Sequence, residues 1–127
     1  MYNIVTADRA MADDFQNLPP LPTAHFHILV ALADRDRHGY SIMQDVTSRT
    51  DGKVRLSPGT LYSAIRRMLE QGLIEELRES PDPSSGDERR RYYRLTQPGR
   101  DAAIAEARRI HDLLSQARAT GLIPRKL

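Results

Sequence analysis

The spacing of apolar residues along the chain predicts four helices. The first follows Thr23, a residue that can cap it, and the second opens at Gly39. The third follows Ser57, and the fourth follows Thr96 and covers residues 97–119. The apolar positions of the first three helices are Phe26, Ile28, Leu29, Leu32 and Ala33; Tyr40, Ile42, Met43 and Val46; and Leu61, Ile65, Met68 and Leu69.

Between the third and fourth helices the apolar period changes from helical to alternating. LIEELRES at 73–80 and RRRYYRLT at 89–96 alternate as strands do, and PDPSSGDE at 81–88 is a turn or flexible loop. These segments predict a β-hairpin with a basic return strand. Residues 1–17 are weakly patterned and form either a short helix or a loose arm. LPPLP at 18–22 breaks any helix before the compact domain.

Three helices, a hairpin and a final helix follow one another as in a winged helix-turn-helix. The chain is therefore predicted to be mainly α with a small β-hairpin, and residues 34–38 to be a polar connection. We expect an N-terminal arm or short helix over 1–20, a DNA-binding domain over 21–96, and a dimerisation helix with its tail over 97–127. In such a fold the third helix reads the major groove and the hairpin lies over the adjacent backbone.

The third helix has the surface expected of a helix that lies on DNA. Ser57 is a good N-cap, and Pro58 suits a first helical position that needs no backbone donor. On the side away from the apolar stripe, short hydrogen-bonding residues come first and arginines follow, an order that suits base edges and then phosphates. These residues are Thr60, Ser63, Arg66 and Arg67.

Charge is concentrated around this helix, although 19 Lys and Arg against 17 Asp and Glu leave a net charge of only +2. Residues 53–67 and 89–100 contain no acidic residue, and two basic windows of this kind indicate a footprint for a polyanion. Arginines that merely solvate the surface are the alternative. The cations of the two windows are Lys53, Arg55, Arg66 and Arg67, and Arg89, Arg90, Arg91, Arg94 and Arg100.

Two tyrosines have open roles. Tyr62 lies at the edge of the apolar stripe, where its phenol can bind a DNA phosphate or be a half-buried core aromatic with a wet hydroxyl. Tyr40 can pack between helices or reach the DNA backbone.

Consecutive arginines alternate in direction on a strand, so one or two of residues 89–91 should face DNA. The candidate DNA contacts are Tyr40, Lys53, Arg55, Ser57, Thr60, Tyr62, Ser63, Arg66, Arg67, Arg89, Arg90 and Arg91.

Other classes of function find no support in the sequence. The absence of cysteine excludes disulfides, thiolate metal sites and a cysteine nucleophile, and it fits the cytoplasmic location that we expect. No apolar run reaches the ~20 residues of a membrane span, and the N-terminus does not resemble a secretory signal. The four histidines (His25, His27, His38 and His111) form no ligand cluster, and His38 beside Gly39 suggests a structural role at a helix start. We therefore expect no metal, no cofactor and no catalytic site.

The fourth helix carries an apolar stripe at alternating spacings of four and three residues. This pattern is typical of a coiled-coil seam, and a helix of this length exceeds what so small a domain can cover. We therefore expect it to pair with the same helix of a second subunit, and packing within its own domain is the alternative. The stripe consists of Ala103, Ala107, Ile110, Leu114 and Ala117.

Several short motifs, in this order and spacing, resemble the PadR-like transcriptional regulators. They are His38-Gly39-Tyr40 with Ile42, Gly59-Thr60-Leu61-Tyr62, Glu70-Gln71-Gly72-Leu73-Ile74, Arg91-Tyr92-Tyr93-Arg94-Leu95-Thr96 and Gly99-Arg100. The resemblance implies a dimeric DNA-binding repressor, often released from its operator by a small molecule, and a short subfamily with one C-terminal dimerisation helix. Ser63 departs from the pattern, because family members commonly have proline after the tyrosine.

The sequence thus predicts a dimeric winged-helix regulator, expected to be a repressor, that binds a roughly palindromic duplex operator. Its expected partners are DNA, a second copy of the chain and a small apolar or aromatic effector. One alternative is a winged-helix protein-interaction module that does not bind DNA. Another is a multidrug sensor in which apolar residues at the dimer interface form the pocket.

Overall fold

The computed structural model describes residues 20–77 and 90–124. The described chain forms four helices and three short strands in the predicted order, with one additional strand. The chain divides into two compact units, residues 21–100 and a second one that contains the rest of the last helix. The elements are α1 (Thr23–Asp34), β1 (Arg37–His38), α2 (Gly39–Arg49), α3 (Pro58–Glu70), β2 (Ile74–Glu76), β3 (Tyr92–Leu95) and α4 (Gln97–Ala119).

The core of the first unit lies between α1, α2, α3 and the sheet, where the predicted apolar stripes meet. The amphipathic spacing explains this, because each helix presents one apolar face inward. One predicted core position is wrong, since Ala31 is buried instead of Ala33. Tyr40, for which the sequence leaves packing between helices and contact with DNA open, is exposed. The largest fully buried side chains are Ile28, Leu29, Ile42, Val46, Leu61, Met68 and Ile74.

The sheet has three strands in the order β1-β3-β2, with both pairs antiparallel. The predicted polar connection at 34–38 is therefore wrong in part, since Arg37 and His38 pair with Tyr93 and Tyr92 of β3. Two residues are too few to show an alternating pattern, so β1 carried no periodic signal. Both hairpin strands are shorter than predicted, and residues 78–89, with the predicted loop, lie outside the described residues.

Helix starts follow the predicted caps with one exception. His38 holds the N-cap position of α2, with Nδ1 3.1 Å from the Ser41 backbone N–H, which confirms the structural role predicted for His38. Thr23, in contrast, is the first residue of α1 and not its cap. Pro22 holds the cap position, and its carbonyl accepts from the Phe26 N–H at 3.1 Å, so the predicted Thr23 cap is wrong.

A hydrogen-bonded joint connects the end of α3 to the start of α4. The Thr96 hydroxyl donates to the Gly72 carbonyl at 2.6 Å and accepts from the Gly99 N–H at 3.0 Å, which confirms Thr96 as the helix cap. Gly99 is required because a Cβ there would overlap the Leu73 carbonyl oxygen and lie 2.8 Å from its carbon. The joint connects the base of the hairpin to the first turn of α4.

The α1–α2 cluster is a group of ion pairs centred on Arg37, which is only 11% exposed. Its guanidinium donates to Asp34 at 2.8 Å, to Asp45 at 3.0 Å, to the Ser41 hydroxyl at 3.0 Å and to the Ala31 carbonyl at 3.0 Å. These bonds satisfy most of the guanidinium donors and join α1, β1 and α2. The cluster therefore holds the helix-turn-helix together from the side.

Candidate nucleic-acid interface

The start of α3 is organised by hydroxyl groups. The Ser57 side chain accepts from the Thr60 N–H at 3.1 Å, and its own hydroxyl donates to Thr60 Oγ1 at 3.0 Å. Pro58 occupies the first helical position, as predicted. Because Thr60 Oγ1 accepts from Ser57, its proton is available to an acceptor outside the protein. The cap therefore orients the Thr60 hydroxyl as a donor.

The predicted polar side of α3 is exposed to solvent, and we call it the α3 face. Its four side chains are Thr60, Ser63, Arg66 and Arg67, and the opposite side of the helix is buried. Arg66 and Arg67 form no ion pair with any residue of the described ranges 20–77 and 90–124. Two guanidinium groups therefore face solvent without a neutralising carboxylate there.

The loop before α3 adds two exposed cations, Lys53 and Arg55. The loop turns at Asp51 and Gly52, which both have positive φ, of 52° and 79°. This left-handed pair folds the chain back, so that a guanidinium nitrogen of Arg55 lies against Gly52, 3.2 Å from where a Cβ would be. Glycine at 52 therefore leaves room for the Arg55 side chain beside the loop.

The basic residues before β3 point in different directions. Arg91 reaches Glu76 of β2, with Nε 3.5 Å from the carboxylate. Arg90 instead reaches the start of α2, where Nη1 lies 2.8 Å from His38 Nε2 and the guanidinium carbon is 5.8 Å from the centre of the Tyr40 ring. Both precede β3 and do not belong to the strand, so the predicted strand alternation did not determine their directions. Arg89 lies outside the described residues.

A depression of about 440 Å³ lies between the start of α2, α3 and these arginines. Tyr40 and Tyr62 are 53% and 48% exposed, so neither is a core residue. The Tyr62 hydroxyl rests on Gly39, since a Cβ there would lie 2.6 Å from Oη. The depression is lined by His38, Gly39, Tyr40, Tyr62, Arg90, Arg91 and Tyr93.

Sequence reasoning missed three lining residues of this depression, His38, Gly39 and Tyr93. The sequence predicts only a structural role for His38 at a helix start. Its position two residues before Tyr40, a candidate DNA contact, is the signal that could have placed it in this depression. Tyr93 is almost fully buried, and burial, with a further contribution from the Glu76 carboxylate, raises the pKa of its phenol. Tyr93 therefore stays protonated at neutral pH. Only its pairing with β1 brings it beside α2.

The stripe predicted on α4 is partly open to solvent. Ala107 and Ile110 are exposed, whereas Ala103, Leu114 and Ala117 are half-buried. The neighbouring Ile104 and Leu113 are also exposed large apolar side chains. Glu106 is buried and paired with Arg109. The apolar stripe of α4 is therefore only partly covered among the described residues.

Residues 20–77 and 90–124 hold no group of three or more side chains that could bind a metal ion. No helix in those ranges is both long enough and apolar enough to cross a membrane.

Comparison with known proteins agrees with this architecture. A solved PadR family transcription regulator from a hypervirulent Clostridium difficile strain is 28% identical, has a TM-score of 0.66 and covers 78% of this chain and 98% of its own. The Streptomyces coelicolor regulator PcaV, solved with its natural ligand, is 18% identical with a TM-score of 0.64, covering 95% of this chain and 76% of that one, and shares the fold.

Two relatives are similar in sequence. The transcriptional regulator Rv3488 of Mycobacterium tuberculosis is 33% identical over 87 residues, which cover 68% of this chain and 75% of the relative. An uncharacterized protein of Lysinibacillus sphaericus is 34% identical over 73 residues, 58% of this chain, and the match spans 64% of that protein's length.

The model of the transcriptional regulator PadR-like family matches residues 28–105, which is more than half of the chain. That family consists of transcriptional regulators and not of enzymes. The exposed α3 face, the winged fold and these matches place the chain in the PadR-like family of transcriptional regulators.

Proposed function

We propose that this regulator is a dimeric repressor that binds a roughly palindromic operator through α3 and the hairpin of β2 and β3, which we call the wing. One observation carries the proposal: Arg66 and Arg67 lie on an exposed helix face and have no ion-pair partner among the described residues. Uncompensated guanidinium groups on a helix with a well-formed N-terminus suit a DNA groove bordered by phosphates.

The α3 residues divide by chemistry into base readers and phosphate binders. Thr60 and Ser63 are short donors and acceptors near the helix N-terminus, where a recognition helix comes closest to base edges. Arg66 and Arg67 are longer and lie further along, within reach of the backbone. Ser63, where proline is common in the family, adds a hydroxyl that can select among bases.

The depression beside α3 supplies further phosphate contacts. Tyr40 and Tyr62 carry half-exposed hydroxyls, and Arg90 and Arg91 add positive charge. Phosphate contacts of this kind hold a protein in register on the duplex without reading sequence. Lys53 and Arg55, in the loop before α3, add two further exposed cations.

Dimerisation through the α4 stripe gives the operator its symmetry. A two-fold dimer presents its two recognition helices about 34 Å apart, one turn of DNA. A small apolar or aromatic molecule that enters between the paired helices would change this separation and release the operator. A protein-interaction role without DNA is the alternative function.

The experiment begins by recovering bound fragments from genomic DNA and measuring affinity for the recovered operator across salt concentrations. Arg66→Ala with Arg67→Ala should lower the affinity and reduce the slope of log affinity against log salt by about two, since each phosphate contact contributes ~0.9. Arg108→Ala with Arg118→Ala, exposed cations on α4, is the charge-matched control. Equal binding by the α3 variant and the parent at every salt concentration would show that α3 is not the contact surface, and a parent protein that binds no duplex DNA would favour the protein-interaction role.

Dimerisation has its own test. Ile110→Glu with Leu114→Glu would place unpaired carboxylates in a paired α4 stripe, at a high desolvation cost. Sedimentation should then show monomers that bind the operator poorly, because one half-site supplies too few contacts. A variant that still sediments as a dimer would place the interface elsewhere, and a monomeric parent protein at micromolar concentration would contradict the palindromic operator.

A further inference from the structure

His38 stands between two hydrogen-bond donors. Its Nδ1 lies 3.1 Å from the Ser41 backbone N–H at the start of α2, and its Nε2 lies 2.8 Å from Nη1 of Arg90 before β3. The ring is held edge-to-face against Tyr92, with centroids 5.2 Å apart and an interplanar angle of 81°. The orientation of the ring is therefore fixed while both nitrogens face donors.

The two hydrogen bonds exclude each other. A neutral imidazole has one N–H and one acceptor nitrogen, whereas a backbone N–H and a guanidinium can only donate. With the proton on Nε2, the ring caps α2 and presents a donor to Arg90. With the proton on Nδ1, the ring accepts from Arg90 and the cap is lost. Arg90 and Ser41 thus compete for a single lone pair.

We propose that His38 is a latch for Arg90, which it holds in the DNA-free protein and releases to a backbone phosphate of the bound duplex. Release moves the ring proton from Nδ1 to Nε2 through solvent, and Nδ1 then accepts from the Ser41 N–H. No ring rotation is required, because each nitrogen already faces its partner. The proposal rests on the proposed function, since the phosphate belongs to the DNA that α3 binds.

The surroundings of Arg90 favour a phosphate as the competing acceptor. Tyr40 and Tyr62 present half-exposed phenol groups to the same depression, and the Arg90 guanidinium already lies over the Tyr40 ring. A phosphate placed there would accept from Arg90 and from both phenols. Charge-assisted bonds to phosphate are stronger than a bond to a neutral imidazole, so the exchange favours the DNA complex.

The latch couples the wing to the helix-turn-helix. Taking Arg90 away from His38 completes the cap of α2, so DNA binding and capping stabilise each other. His38 is therefore a positioning residue that acts through Arg90. Its effect on affinity depends on the presence of that arginine.

Nitrogen NMR of the His38 ring tests the latch directly, because the two tautomers give opposite protonation patterns at Nδ1 and Nε2. We expect the Nδ1–H form in the free protein and the Nε2–H form with saturating operator duplex. Arg90→Ala should give the Nε2–H form without DNA, and Arg91→Ala, whose partner is Glu76, should leave the ring unchanged.

An unchanged tautomer in a protein that binds the duplex overturns the latch and leaves the proposed function intact. A protein that binds no duplex overturns the proposed function and the release step together. In that case the Arg90→Ala spectrum still decides whether His38 and Arg90 share a bond in the free protein.

A variant at position 38 that caps α2 without bonding Arg90 gives a second test, through duplex affinity. In His38→Asn, the shorter amide keeps an acceptor for the Ser41 N–H but does not reach Arg90. Duplex affinity should rise about two- to ten-fold, the range expected for freeing one such bond. The gain should vanish in an Arg90→Ala background. A loss of affinity, or an equal gain without Arg90, would overturn the latch.

Discussion

The α1–α2 cluster and the α3 face use the same side chain in opposite ways. In the cluster, Arg37 is nearly buried and bonds two carboxylates, a hydroxyl and a carbonyl. On the α3 face, Arg66 and Arg67 are exposed and have no carboxylate partner within the described ranges. The difference lies in what surrounds each arginine, since Asp34 and Asp45 lie beside Arg37 and no acid falls within residues 53–67.

This contrast separates arginines that stabilise the fold from arginines that are available to a ligand. Donors that are satisfied inside the protein hold helices together and leave nothing for DNA. Donors that face water contribute little to folding and keep their charge for a polyanion. We call the apolar core, the α1–α2 cluster and the joint at Thr96 and Gly99 the framework. Variants in the framework should therefore change stability first, and variants on the α3 face should change affinity first.

Gly99→Ala should damage the framework most. The new Cβ would overlap the Leu73 carbonyl, which belongs to the backbone and cannot move aside as a side chain would. We expect a loss of about 3 kcal/mol in the free energy of unfolding, the upper range for overpacking a core. Denaturant unfolding measures it, with Gly59→Ala as the control, because a Cβ there meets no atom within 4 Å. Equal stability of the two variants would contradict the tight joint.

Arg37→Met should lower the free energy of unfolding by about 2 kcal/mol, because it removes one of the two cations that pair with the largely buried Asp45 carboxylate. Arg66→Met, the matched change on the α3 face, should alter stability by less than ~0.5 kcal/mol and yet weaken duplex binding. Chemical denaturation and duplex titration of both proteins test the contrast. Equal losses of stability would remove the distinction between the two regions.

Local signals explain what the sequence predicts well. Ser57 and Thr96 mark helix starts because a cap is a contact within three residues of its own chain, and both caps are present. The buried stripes of α1, α2 and α3 follow from a period of 3.6 residues. The sequence pattern therefore predicts the order of the helices, the position of the hairpin and the exposed side of α3.

Contacts between distant segments explain what was missed. β1 has no pattern of its own and exists because Arg37 and His38 pair with β3. The Arg94 side chain, which falls in a basic window, pairs with Asp36 at 2.9 Å and is not a free cation. The placement of Arg90 against His38 is equally long-range. Composition cannot distinguish such neutralised arginines from available ones.

Gly39→Ala should affect affinity more than folding, although Gly39 is buried. Its Cβ would meet only the end of the half-exposed Tyr62 side chain, which can swing away, so we expect a stability change below ~1 kcal/mol. Displacing the Tyr62 hydroxyl should weaken duplex binding several-fold, within the range of one hydrogen bond. In a Tyr62→Phe background, Gly39→Ala should have no further effect on affinity. A full additional loss there would mean that Gly39 acts independently of the phenol.

The smallest effect concerns His25 of α1, which lies where the framework meets the α3 face. Its Nδ1 is buried without a hydrogen-bond partner in the described part of the chain. Burial, and secondarily the charge of Arg67, lowers the pKa of its imidazole from 6.5. The unfolded chain therefore takes up this proton at a higher pH than the folded protein, and stability should fall as the pH drops below about 6.5.

Unfolding free energies measured between pH 8 and pH 5 test this assignment through the difference between the parent protein and His25→Phe. That difference should be constant at the alkaline end and should shift against the parent as the pH falls, because only the parent must keep His25 neutral to stay folded. Arg67→Ala should make the acid-side loss of the parent smaller, since one of the two causes is removed. Parallel pH profiles for the parent and His25→Phe would show that burial does not lower the pKa of the His25 imidazole. An unchanged profile in Arg67→Ala would mean that the α3 arginines do not act on the framework through His25.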